Sequence, residues 1–308
     1  MSVGARRISF LLAAALSSLL ACGCVSRPVR DALALARETD LDAAAVQLPA
    51  TLSALERELA GRPRSRVLLE VLARGHIAYA FGFVEPLPWE AAAARRARAH
   101  ASYRRARGYG LRLLALERPG LARSLGEGTA APHDLGGAGR RALPGLYWTA
   151  KAWVGALGTQ DPGPHLVAQA LQVRAMLRRC AELDGGYDHG GPELLLGLLE
   201  ASTPPPLGGR FDVARRHCRR AVELSGGMYL LTRTLFATEV LLRAGDRPAF
   251  ERTLRDVLAA DPDQVRSLAL SNRIARRRAE RYLARHGAAS VPEAIGQCRS
   301  DGTRGGDS

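Results

Sequence analysis

Apolar residues recur along most of this 308-residue chain at the three-and-four spacing of amphipathic helices, so the sequence reads as one helix after another. A helix over 41–60 carries Val46, Leu52, Leu55 and Leu59, with Pro49 placed to start its main part and Gly61-Arg62-Pro63 to stop it. Over 67–84 the apolar face is broad, with Leu68, Val71, Leu72, Ile77, Tyr79 and Phe81, before Pro86 and Pro88 break the pattern. A long helix over 89–116 sets an Ala-rich face with Tyr103, Leu111 and Leu114 opposite many arginines. Residues 118–145 are dense in glycine and proline, from Pro119 to Pro144, and predict a long loop with at most one short helical turn. Helices then resume over 146–157, 165–183, 193–201, 211–224, 229–243, 248–260 and 264–285. The polar, Gly-rich tail 287–308 predicts disorder.

The first residues follow a different pattern. Arg6 and Arg7 precede an apolar run from Phe10 to Leu16, and the segment ends Leu19-Leu20-Ala21-Cys22. The run is too short to span a bilayer and ends in a processing site. Its end resembles a lipobox, which implies cleavage after residue 21 and a diacylglycerol on the Cys22 thiol. Cys24 is a poorer candidate, because Cys22 two residues before it makes a poorer −2/−3 context. Gly23 rather than Asp follows the cut, so the expected location is the outer membrane, lipid-anchored and facing the periplasm. The expected organisation is a signal peptide 1–21, a lipidated linker 22–39, a helical domain 40–286 and the tail.

Within the helical domain one segment repeats. Arg178-Arg179-Cys180-Ala181-Glu182-Leu183-Asp184-Gly185-Gly186 is echoed by Arg219-Arg220-Ala221-Val222-Glu223-Leu224-Ser225-Gly226-Gly227. Both copies end in Gly-Gly, which suits a left-handed helix cap. Between them lie Leu196-Gly197, then Ala214, Cys218 and Ala221 at helix spacing, a pattern that resembles the tetratricopeptide repeat. The insertion Pro204 to Gly209 lengthens the period. Gly61-Arg62-Pro63 and Ala259-Ala260-Asp261-Pro262 read as further repeat ends. Each helix pair leaves an apolar face that only a neighbour can cover, so the expected fold is all-α, a tetratricopeptide-like α-solenoid of stacked antiparallel helix pairs.

Composition agrees with close helix packing. Hydrophobic residues make up 47% of the chain and aromatics only 5%, so Leu and Ala must fill the core. The net charge is +14, and Lys151 is the only lysine among the cationic residues. An exported chain does not meet nucleic acid, so this charge reads as an Arg-rich surface or as attraction to anionic headgroups or an acidic partner. Cys180 and Cys218 sit in predicted helices and read as buried apolar residues in preference to a disulfide; Cys298 lies in the tail.

Few residues carry chemistry. Tyr187-Asp188-His189-Gly190 places a base beside a carboxylate, but no nucleophile motif or second metal-spaced His accompanies it. A helix corner with Asp188 as N-cap and His189 filling polar space fits better. His217 and Cys218 are neighbours on a helix and face different ways. Tyr147, Trp148 and Trp153 share one helix, either as inter-helix core or as lining for a concave surface. Glu85 ends an apolar helix and can pair with an arginine such as Arg104. The arginines of 264–285 suit a solvent-facing capping helix. No dinucleotide or phosphate-loop fingerprint occurs, and no cofactor, metal site or catalytic residue is expected.

Taken in order, several segments resemble the T-component family of TRAP transporters. They are Ala78-Tyr79-Ala80-Phe81-Gly82-Phe83-Val84-Glu85, Arg107-Gly108-Tyr109-Gly110-Leu111-Arg112, Leu146-Tyr147-Trp148-Thr149-Ala150-Lys151-Ala152-Trp153 and Tyr187-Asp188-His189-Gly190. Gly197-Leu198-Leu199-Glu200-Ala201, Glu223-Leu224-Ser225-Gly226-Gly227 and Leu258-Ala259-Ala260-Asp261-Pro262 continue the series, which spans about residues 40–285. The resemblance implies a periplasmic helical lipoprotein, a homotrimer with a pore-like cavity, and a periplasmic solute-binding protein as partner. Candidate ligand or partner contacts are Tyr79, Phe83, Glu85, Tyr147, Trp148, Tyr187 and His189. A scaffold for envelope protein assembly is the alternative function, and a hydrolase using His189 lacks a supporting constellation.

Overall fold

A computed structural model describes residues 26–86, 91–161, 163–203 and 209–287. The leader, Cys22, Cys24, the insertion 204–208 and the tail from residue 288 with Cys298 lie outside the described residues. Among the described residues the secondary structure is helical throughout. The helices are α1 (Arg27–Leu35), α2 (Leu41–Gly61), α3 (Arg66–Tyr79), α4 (Ala92–Ala115), α5 (Pro119–Glu127), α6 (Pro132–Gly136) and α7 (Leu143–Gly158). They continue as α8 (Pro164–Asp184), α9 (Tyr187–Ser202), α10 (Phe211–Leu224), α11 (Leu230–Leu235), α12 (Arg247–Ala259) and α13 (Ala269–His286). Wider π-turns extend α3 through Ala80–Val84 and α11 through Phe236–Leu241.

Local chemistry explains most boundaries. Asp40 caps α2 by accepting from the amides of Asp42 and Ala43 at 2.8 and 3.1 Å. Pro119, Pro132, Pro144 and Pro164 stand in the first turns of their helices, where a missing N–H costs nothing.

That placement overturns the expected loop at 118–145. Its prolines open α5, α6 and α7, and Gly128, at φ 77°, closes α5. Leu121, Leu125 and Leu135 from these short helices are buried. The expected linker 22–39 likewise contains α1, which buries Val29 and Leu35. Pro49 sits inside α2 instead of starting its main part. The Gly-Gly ends also differ: Gly226 and Gly227 take the left-handed conformation, whereas Gly185, at φ −63°, does not. The left-handed residues of that earlier corner are Asp188, His189 and Gly190.

The main core joins α1–α4 with α7 and α8, around Leu55, Leu69, Leu72, Leu114, Leu146 and Tyr147. A second cluster centres on Phe250 between α12 and α13. A third packs α9 on α10 through Leu194, Ala214, Cys218 and Ala221. There the Gly197 backbone lies against Cys218 Sγ, so the small residues noticed in the repeat do bring two helices close. Cys180 and Cys218 are both free and buried.

α4 and α7 make the tightest crossing. A Cβ on Gly145 would stand 2.5 Å from the Leu114 backbone, and one on Gly110 would stand 2.6–2.9 Å from Thr149. No side chain fits between the two helix backbones there. Gly145→Ala is therefore expected to destabilise the fold by about 2–3 kcal/mol through forced separation of the helices. Denaturant unfolding checks this, and an unchanged midpoint contradicts the crossing.

Candidate functional site

The helices enclose a cavity of about 1260 Å³, bounded by α1–α4, α7–α9, the α11 segment and α13. Much of its wall is aliphatic. Val167 and Leu171 of α8 face it one helical turn apart, and both remain about half exposed for want of a neighbouring helix. Among the described residues, seven cationic side chains and three carboxylates line the same space, so its field favours an anion.

One wall holds a buried polar knot. The chain turns from α8 into α9 through Asp188 (φ 47°) and His189 (φ 61°), conformations that cost L-residues about 1–2 kcal/mol each. The turn aims the Asp188 carboxylate inward, where Oδ2 accepts from Tyr147 OH at 2.5 Å and from Lys151 Nζ at 2.6 Å. Asp188 is therefore not the N-cap its sequence position suggests. Its side chain spans to α7, and no side chain caps α9. Burial alone would push the Asp188 carboxyl up. Attraction to Lys151 and Arg74, with hydrogen bonds from Lys151 and Tyr147, outweighs burial and holds it below the usual range. Burial likewise opposes the Lys151 ammonium, and Asp188 together with Tyr229 more than offsets it.

Around this knot the cavity wall is aromatic and cationic. Trp148 Nε1 donates to Tyr187 OH at 3.2 Å and to Glu70 at 3.3 Å. Arg74 lies 5.2 Å over the Trp148 ring and, among the described residues, forms no hydrogen bond or ion pair. His189 stacks at 5.0 Å on Tyr229. Burial pulls its imidazole below the usual value, with Lys151 and Arg74 adding to the effect and Asp188 opposing it. His189 therefore faces the cavity with its charged form disfavoured, beside a guanidinium that attracts Asp188 but makes no direct ion pair among the described residues.

Across the cavity, Arg278 of α13 bridges the two π-turned segments. Its guanidinium lies 3.9 Å from Glu85 and 3.5 Å from Glu239, and packs 4.6 Å over Phe81. Glu85 also accepts from Tyr103 OH at 2.6 Å, so its partners are Tyr103 and Arg278 and not Arg104. Burial raises the Glu85 carboxyl despite both partners. The arginines of α13 are fasteners more than a solvated cap: Arg273 pairs with Asp263 and Arg276 donates to Ala260 O at 2.7 Å.

The sequence candidates divide accordingly. Glu85, Trp148 and His189 line the cavity. Tyr147 and Tyr187 stand behind it as supports, with Tyr147 fully buried. Tyr79 accepts from Arg98 at 3.1 Å, and Phe83 is buried under Arg277; neither lines the cavity. Cys22 lies outside the described residues. Sequence reading missed Arg74, Tyr229 and Arg278, which helix periodicity assigns to ordinary faces. The lone lysine was a signal for Lys151: a compact ammonium fits between Asp188 and two rings where a planar guanidinium does not.

Another cluster mimics a catalytic triad. His76 Nδ1 lies 3.2 Å from Ser102 Oγ and Nε2 lies 3.0 Å from Glu56. Ser102, however, donates to His76 O at 3.0 Å, and neither residue lines the cavity. The cluster staples α2, α3 and α4 together. His217 similarly pairs with Glu193 at 2.6 Å.

The helices leave a large open cavity with anchored polar groups on its wall, a geometry suited to holding a ligand. The sequence profile of the TRAP transporter T-component family matches residues 37–288, and the chain belongs to that family. The family is a transport-associated, non-enzymatic component. No curated protein matches the chain.

Acid should loosen this arrangement. His76 and His189 both have folded pKa values below their ordinary one, so the unfolded chain binds protons more readily. Stability is expected to fall as pH drops below the ordinary histidine range towards the depressed values. His189→Asn keeps a left-handed-tolerant residue and removes one titration, so the thermal midpoint should fall less between pH 7.5 and pH 5 than in the unaltered chain. An identical fall assigns no part of it to His189.

Proposed function

We propose that this chain is a lipid-anchored, periplasm-facing component that holds a small organic anion in its cavity for a TRAP-type transporter. Its partner in this reading is the system's periplasmic solute-binding protein, which exchanges ligand with the cavity. The single observation that carries the ligand reading is Arg74, a guanidinium in no direct ion pair among the described residues, on an aromatic wall of a mostly aliphatic cavity. An apolar body packs along α8 and an acidic group reaches Arg74, with His189 beside it. Family membership supports the association with a transporter. The anchor rests on the Cys22 motif, and the tetratricopeptide-like stacking rests on the repeat and on the Gly197–Cys218 packing. A homotrimer is part of the same reading by family likeness.

Two measurements test it. The purified solute-binding protein of the same transport system is titrated against the full chain in neutral detergent, followed by sedimentation. A saturable complex is expected, and its absence at high micromolar concentration overturns the docking role. Cys22→Ala is expected to move the protein from the membrane fraction to the soluble periplasm, and continued membrane association contradicts the anchor.

A further inference from the structure

Beyond the cavity wall, α13 presents a second row of arginines. Arg277, Arg281 and Arg285 repeat every four residues and share one helix stripe. With His286 they line a separate groove of about 300 Å³, whose inner wall includes Glu85 and Arg278. Arg277 donates to Gly82 O at 2.9 Å and Arg281 to Pro86 O at 3.0 Å. Carbonyls orient these guanidiniums without neutralising them. Arg285 has no hydrogen bond or ion pair among the described residues. Among the described residues the only carboxylate lining the groove is Glu85, which is already held by Tyr103 and Arg278. Burial and the neighbouring charge of Arg281 lower the Arg277 guanidinium, and Asp42 opposes them only in part.

The C-terminal end of α13 accounts for part of this cluster, because cations favour a helix C-terminus. That end offers about half a negative charge, however, against three guanidiniums. A single carboxylate satisfies one guanidinium fork, whereas a tetrahedral dianion offers acceptor oxygens in several directions.

We propose that the groove is a binding site for a phosphate monoester group, gripped by Arg281 and Arg285 with Arg277 and His286 flanking it. The group belongs either to a soluble phosphate ester or to a lipid headgroup. This site lies outside the cavity and is independent of the cavity's ligand.

Calorimetric titration of the full chain in neutral detergent tests this at constant ionic strength. The probes are inorganic phosphate, dihexanoyl phosphatidic acid and dihexanoyl phosphatidylcholine. Saturable binding of phosphate or phosphatidic acid is expected, with none of phosphatidylcholine. Equal affinity for the first two assigns the site to soluble phosphate, and at least tenfold preference for phosphatidic acid assigns it to lipid. Arg281→Gln/Arg285→Gln is expected to weaken binding at least tenfold, and Arg285→Gln alone to weaken it measurably with an unchanged thermal midpoint. Arg123→Gln/Arg219→Gln, which removes the same charge from exposed positions on α5 and α10, should leave binding unaltered. Absence of saturable binding, or equal loss in the two double variants, overturns the proposal.

Discussion

The buried carboxylate of Asp188 is the interaction on which the rest of the cavity depends. It faces inward only because the chain enters α9 through two consecutive left-handed non-glycine residues. Their backbone cost is offset by two short hydrogen bonds, from Tyr147 and Lys151 of α7. A buried charge pair of this kind adds little net stability against an apolar substitute, but losing one partner strands the other. Its value here is positional. It fixes α9 to α7, seats the Lys151 ammonium against Trp148, and leaves His189 pointing into open space beside Tyr229.

Close packing and open space are built from different residues of the same helices. Where α4 crosses α7, glycines let the backbones touch. On another face of α7, Trp148 and Lys151 line the cavity instead. The π-turns do related work at the far wall. The wider turn ending α3 brings Glu85 towards α13, the one in the α11 segment brings Glu239, and Arg278 holds both. Arg278 thereby closes the cavity on one side and backs the arginine groove on the other.

Most of the helix succession was legible from apolar spacing, because a helix buries one face whatever its neighbours do. The segment 118–145 was not, since proline and glycine punctuate short helices with the same residues that fill loops; only the burial of Leu121, Leu125 and Leu135 separates the cases. The short helix α1 was hidden in a similar way. Among site residues, Trp148, Glu85 and His189 were readable as polar or aromatic exceptions on apolar helices. Arg74 and Arg278 were not, because in a chain whose cationic residues are almost all arginine, nothing local marks those that line the cavity. Asp188 was noticed but given the wrong task. Helix-end position argues for a cap, and only the left-handed backbone reveals that its side chain reaches α7.

The proposed function requires the cavity to hold an organic anion through Arg74. Native mass spectrometry of the full chain, purified gently from its own membranes, tests it most directly. The account predicts a small non-covalent adduct on the unaltered protein, acidic when extracted, and absent from Arg74→Ala at an unchanged thermal midpoint. An empty unaltered protein, or an adduct retained equally by Arg74→Ala, would contradict it.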